Sequence, residues 1–221
     1  MCRIWGDNVP DELWMEAMSN TIPEVRIAEI PLFPLQTVLF SGGRLPLRIY
    51  EPRYMDMISD CLKTSGGFGV VLIREGSEAF SEHQTQPEIF NIGTYAEIVD
   101  FNQLEDGLLG IIVKGGRKFR ILRKFEQADH LLNGEVEFLP EEKLTVVNPD
   151  HQPLVDILKE LIKHPLVSRL HINIDFSDAR SVSLRLSELL PLEPEIKQSL
   201  LQMNLPRERL TELKRLVSQL S

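Results

Sequence analysis

Cysteine is scarce in this 221-residue sequence: Cys2 and Cys61 stand 59 positions apart, with no C-x-x-C and no Cys/His cluster. A disulfide framework and a thiolate metal site are therefore excluded, and Cys61 reads as a small core residue of a reduced protein. Long apolar runs are missing as well. None approaches the roughly 18–20 residues that cross a bilayer. Residues 1–24 hold five acids and no apolar stretch, so they do not read as a secretory signal. These absences point to the cytoplasm and away from membranes. Basic charge is in deficit, with 24 Lys and Arg against 33 Asp and Glu and a net charge of −9. Non-specific nucleic-acid binding neutralises phosphates with Lys and Arg, so this balance argues against nucleic acid as a partner.

The usual catalytic strings are absent too. A P-loop needs G-x-x-x-x-G-K-[ST], because its backbone amides and lysine hold the phosphates, and no such string occurs. Gly115-Gly116-Arg117-Lys118 lacks the spacing and the hydroxyl, and reads as a turn between strands. Gly67-Phe68-Gly69 lacks the third glycine of a dinucleotide fingerprint and runs helix to strand, the wrong order for a helix N-terminus to face a pyrophosphate. His83, His130, His151, His164 and His171 form no H-E-x-x-H and read as surface or loop residues. There is no G-x-S-x-G elbow. The acid pairs Glu105-Asp106 and Glu141-Glu142 sit beside turn residues and read as solvated charge, with a small hydrolase site the weaker alternative. No enzyme activity, cofactor or metal is expected.

What is present divides the chain in three. Residues 1–24 form an acidic extension that carries both tryptophans, Trp5 and Trp14, with residues 11–18 long enough for two helical turns. Residues 25–145 read as short strands at 38–40, 68–73, 89–99, 108–113, 119–125 and 135–139, punctuated by Gly, Asn and Asp. Asp106-Gly107 and Asn133-Gly134 are hairpin signals. One helix interrupts this part. Pro52 suits its first position, Tyr54, Ile58, Cys61 and Leu62 make its apolar face, and Gly66-Gly67 supply its stop. Residues 146–221 switch to the helical period, in four short helices whose bounds are marked by Pro165, Pro191, Pro194 and Pro206. The expected class is α+β: a small β-barrel with one embedded helix, then a C-terminal helical bundle.

One charge cluster stands out against the acidic total. Lys114, Arg117, Lys118, Arg120, Arg123 and Lys124 put six bases in 11 residues without an acid. Phe119 and Ile121 alternate with Lys118 and Arg120, so a strand would bury the first pair and expose the second. The exposed face would contact an anion or acidic peptide, or pair with Glu135 and Glu137 on a neighbouring strand. RNA binding through residues 114–124 is the alternative function.

The segment Ile30-Pro31-Leu32-Phe33-Pro34-Leu35 continues through Val38-Leu39-Phe40, Gly42-Gly43 and Leu45-Pro46-Leu47-Arg48-Ile49-Tyr50-Glu51-Pro52-Arg53-Tyr54. It resembles the opening of the N-terminal substrate-binding domain of the ATP-dependent protease Lon. Phe68-Gly69-Val70-Val71, Ile92 to Ile98, Gly115 to Arg120, Glu135-Val136-Glu137 and Lys197-Gln198-Ser199-Leu200-Leu201 follow in the family's order. The resemblance spans about residues 26–217, with Ser41 where the family usually has proline. No ATPase or protease domain accompanies it, as in the stand-alone bacterial Lon N-terminal-domain proteins. The resemblance implies a PUA-like barrel followed by helices. It also implies a non-enzymatic module that binds unfolded or exposed apolar polypeptide segments, with an ATP-dependent protease as a possible partner. Candidate contacts are Arg48, Glu51, Arg53 and Tyr54 from the opening motif and Arg117, Lys118 and Arg120 from the basic strand. Glu51 and Arg53 have a structural alternative, as a partly buried pair that anchors the helix start.

Overall fold

A computed structural model describes residues 26–78, 86–104, 106–168 and 173–220 of the chain. The expectations for residues 1–24, His83, Glu105 and His171 lie outside these residues. The architecture is a mixed seven-stranded sheet with helices. Strand β1 (Ile27–Leu35) pairs antiparallel with β7 (Leu132–Phe138) and parallel with β3 (Gly67–Glu75). Between β3 and β7 lie β4 (Glu88–Ile89), β5 (Ile92–Gln103) and the long β6 (Leu109–Glu126). The pairings run β1-β7-β6-β5-β3 and return to β1. Strand β2 (Arg44–Ile49) lies along the first half of β6.

Strands β1 and β3 read as near-continuous apolar runs because both of their faces are covered. Phe33 and Val70 face one cluster, with Phe68, Val113 and the helix α1 (Pro52–Thr64). Leu32 and Val71 face another, with Phe119 and Val136. Helix α1 starts at Pro52 and buries Tyr54, Met57, Ile58 and Cys61, while Leu62 stays exposed. It is stopped by Ser65 in the left-handed conformation (φ 52°), with the Gly66 amide bonded to the Cys61 carbonyl. Gly67 already belongs to β3, where a Cβ would stand 2.2 Å from the Ala96 carbonyl oxygen.

Helices α2 (Gln152–Leu161), α3 (Pro165–Ser168), α4 (Ala179–Leu189), α5 (Pro194–Gln202) and α6 (Pro206–Leu220) follow. Asp178 caps α4 by accepting from the Arg180 amide, which satisfies one of the free N–H groups of the first turn. Leu154, Leu158, Val182, Leu186, Leu200, Leu210 and Leu213 share a core with Phe40 and Leu72 from the strand-rich part. Burying apolar area of this kind, at about 25 cal/mol per Å², is what joins the helices to the sheet. No helix of the described residues is long and apolar enough to cross a membrane.

Four expectations need correction. Residues 38–40 form a buried loop, not a strand. Residues 108–113 and 119–125 belong to one strand, since β6 runs on through Gly115-Gly116 with only a register shift against β5. Residues 89–99 are broken at 90–91 into β4 and β5. Asn133-Gly134 sits inside β7, and the turn falls earlier, at His130 with φ 67°. Asp106-Gly107 does make the β5–β6 turn, with Gly107 at φ 83° and an Asp106 carboxylate oxygen accepting from the Leu108 amide.

Candidate functional site

A cleft lies between β6 and α4. Its floor is Gly115-Gly116, two residues without side chains. On one side the loop at Ser41-Gly42 is held to the strand by the Gly42 amide on the Gly115 carbonyl and the Gly115 amide on the Gly43 carbonyl, at 2.7 and 2.9 Å. That approach is why residue 115 must be glycine: a Cβ there would meet the Phe40 carbonyl oxygen at 2.2 Å. The opposite wall is α4, through Arg180, Leu184 and Arg185. Tyr95, Phe138, Leu139 and Pro140 give the cleft an apolar flank, and its volume is about 820 Å³. The Tyr95 and Phe138 rings meet edge-on, centroids 5.6 Å apart.

The cleft is rich in cations: Arg26, Lys114, Arg117, Lys118, Arg180 and Arg185 line it with Glu97, Glu141 and Glu142. Most of these are tied into the fold. Arg185 pairs with Glu188 and donates to the Ser41 carbonyl. Burial lowers the Arg185 pKa and raises that of Glu188, each opposed by the other's charge. Arg180 bonds Asp178 and the Glu142 carbonyl.

Lys118 is the clearest departure from expectation. The sequence pattern exposes it, yet its side chain is 4% exposed. Its Nζ donates to Glu142, to the Leu201 and Met203 carbonyls and to the Asn204 side chain, all within 3.1 Å. Burial lowers the Lys118 pKa and Glu142 opposes that effect. Glu142 is no solvated acid either: Arg209 takes both of its oxygens, and Arg209 also donates to Ser183 and to the Leu200 and Met203 carbonyls. Burial pushes the Glu142 carboxyl up, but Arg209 and Lys118 together hold it below its ordinary value. The six-base run is therefore no single basic face. Arg120 and Arg123 pair with Glu137 and Glu135 across β7 at 3.2 and 3.8 Å, which uses two more of the charges.

The remaining candidates lie elsewhere. Arg120 lines a second cavity of about 700 Å³ with Arg74, Glu88 and Lys124. Arg48 is exposed and pairs with Asp106 at the β5–β6 turn. Arg53 donates to Glu51 at 2.9 Å and to the His130 carbonyl at 2.7 Å, so this pair ties the start of α1 to the β6–β7 turn. Tyr54 stacks on Phe33 with centroids 4.0 Å apart, and burial raises its pKa to about 12. His151, expected at the surface, is buried, and burial lowers its pKa. No group of three or more His, Cys, Asp or Glu among the described residues could hold a metal. Only Arg117 and Lys118 of the expected contacts line the larger cleft. Tyr95, Phe138, Arg180, Leu184 and Arg185 went unforeseen. Alternation marks Tyr95 as a strand residue, but nothing local ties it to α4.

A family model for the substrate-binding domain of the ATP-dependent protease La (LON) matches residues 29–219. The chain belongs to this LON substrate-binding domain family. The Lon protease of Parabacteroides distasonis is 28% identical over 133 residues, 60% of this chain and 16% of the protease. Lon protease 2 of Syntrophobacter fumaroxidans is 30% identical over 118 residues, 53% of this chain and 14% of the protease. The chain thus spans about one sixth of the curated relatives it matches. Among solved structures, a Lon N-terminal domain protein from Xanthomonas campestris aligns with TM-score 0.70 and 33% identity, over 86% of this chain and 98% of that one. The N-terminal domain of the Mycobacterium avium complex Lon protease aligns with TM-score 0.58 over 84% of this chain and 96% of that one. At 16% identity, it supports the shared fold alone.

Proposed function

We propose that this chain is a substrate-recognition module without a catalytic step of its own, which binds unfolded or exposed apolar polypeptide segments in the cleft between β6 and α4. The observation that carries this is the family match over residues 29–219. The cleft supports it physically. It is concave, of a size that accepts several side chains, half apolar, and floored by strand backbone that carries no side chain at Gly115-Gly116. In this reading the β1-β7-β6-β5-β3-β1 circuit is a small PUA-like barrel over residues 25–145, and the helices of 146–221 are a bundle that supplies the second wall. The module works in the cytoplasm as an adaptor that presents its ligands to an ATP-dependent protease.

The test is fluorescence anisotropy with a permanently unfolded, carboxymethylated protein and its native, disulfide-intact form. Saturable binding of the unfolded form alone, weakened by Tyr95→Ala on the cleft flank, is the expected outcome. Equal, negligible binding of both forms contradicts the proposal.

A further inference from the structure

Within the cleft, Arg117 and Lys114 differ from Arg180, Arg185 and Lys118. Arg180, Arg185 and Lys118 are committed to carboxylates and carbonyls of the fold. Arg117 spends one N–H on the Leu139 carbonyl at 3.2 Å and lies over the Phe138 ring at 5.4 Å. Its Nε–H is buried and out of a ligand's reach, so what Arg117 offers the cleft is its charge and the terminal N–H groups not spent on Leu139. A guanidinium donates to a carboxylate in charge-assisted hydrogen bonds. Lys114 is exposed at the other end of the glycine floor, three positions along β6 and so about 10 Å away. Glu97 stands opposite Lys114 in the ladder. Beside Arg117 lies the Tyr95–Phe138 edge contact, part of the apolar flank of the cleft.

Resting on the recognition reading above, we infer that the cleft selects polypeptide segments in which an acidic side chain stands next to a large apolar one. The carboxylate meets Arg117, with Lys114 drawing the segment in, and the apolar side chain packs on Tyr95 and Phe138. Charge complementarity favours such an occupant. Bases outnumber acids along this cleft although the chain as a whole carries −9, so an acidic segment is attracted here against the average charge of the surface. A purely apolar segment would bring no counter-charge to Arg117 and Lys114.

The experiment uses the full chain and two labelled peptides that are identical in their leucines and phenylalanines but carry glutamates in one and glutamines in the other. Anisotropy titrations at low and moderate salt compare wild type, Arg117→Gln, Lys114→Gln and, as a control in the second cavity, Lys124→Gln. The wild type binds the glutamate peptide about tenfold more tightly than the glutamine peptide, the scale of one charge-assisted hydrogen bond. Both cleft variants reduce that ratio towards one, weakening the glutamate peptide more than the glutamine peptide, while Lys124→Gln keeps the wild-type ratio. Should Arg117→Gln unfold, the exposed Lys114→Gln still carries the test. Equal affinity of the wild type for both peptides overturns the selectivity and leaves the recognition reading standing. No binding of either peptide overturns both. Displacement of the glutamate peptide by single-stranded RNA at lower concentration than by unlabelled peptide also overturns the selectivity, because it makes phosphate the preferred anion.

Discussion

Arg209, on α6, holds both carboxylate oxygens of Glu142 across 67 positions of sequence, and Lys118 of β6 holds the same carboxylate from the other side. Two cations thus share one buried anion, and the excess charge is spread over backbone carbonyls between α5 and α6. This cluster joins the sheet to the helices directly behind the cleft, so the wall that α4 forms depends on it.

Removing the anion leaves two buried cations without a counter-charge. Glu142→Gln is expected to destabilise the fold by about 3–5 kcal/mol, as breakage of one side of a buried ion pair does. Urea unfolding of wild type and variant measures it. A loss below about 1 kcal/mol, the range of exposed pairs, would assign the cluster no structural weight.

The same cluster predicts an acid limit. The Glu142 pKa is held below 4.5 in the folded protein, so its ion pairs contribute stability above that value and lose it as pH falls through the folded pKa. Glu188 runs the other way, since burial raises its pKa and its contribution fades as pH rises through the raised value. Melting temperature is therefore expected to fall as pH drops through the carboxylate range, with a shallower fall in Glu142→Gln. Parallel curves for the two proteins would show that other carboxylates set the limit.

Gly115→Ala tests the floor of the cleft. The added Cβ would collide with a backbone oxygen, which cannot rotate away, so overpacking of about 1–3 kcal/mol is expected. Gly107→Ala, at φ 83° and with its nearest neighbour, Gln103 Nε2, at an unstrained 4.0 Å, meets only the cost of left-handed backbone, about 1 kcal/mol. Thermal unfolding ranks the two, and equal losses would contradict the close approach.

Tyr54 is stacked on Phe33 and buried, so Tyr54→Ala is expected to cost about 3–5 kcal/mol, the range of aromatic truncations. Unfolding that is unchanged would return Tyr54 to the list of ligand contacts.

Local chemistry was legible in the sequence. Pro52, Pro194 and Pro206 each open a helix at the position their fixed φ and missing N–H suit. The glycines misled where their purpose is proximity and not a turn. Gly134 is in a strand because a Cβ there would meet Leu32 at 2.9 Å, and the turn it suggested is made instead by His130. Lys118 misled for a related reason. Its strand alternation is correct, but the acceptors that make burial tolerable come from residues 142 and 201–204, which no local pattern connects to it. The cleft was half visible for the same cause: Arg117 and Lys118 belong to a run that stands out, while α4's contribution arises only from tertiary packing.

The central claim is that the surface between β6 and α4 is where polypeptide binds. Amide chemical-shift mapping with the glutamate-bearing peptide tests it most directly. The account predicts perturbations concentrated at Gly115, Gly116, Arg117, Leu139 and Leu184, saturating together with the anisotropy titration. Saturable perturbations confined to the start of α1 and the Arg48–Asp106 pair, with the cleft unmoved, would contradict it.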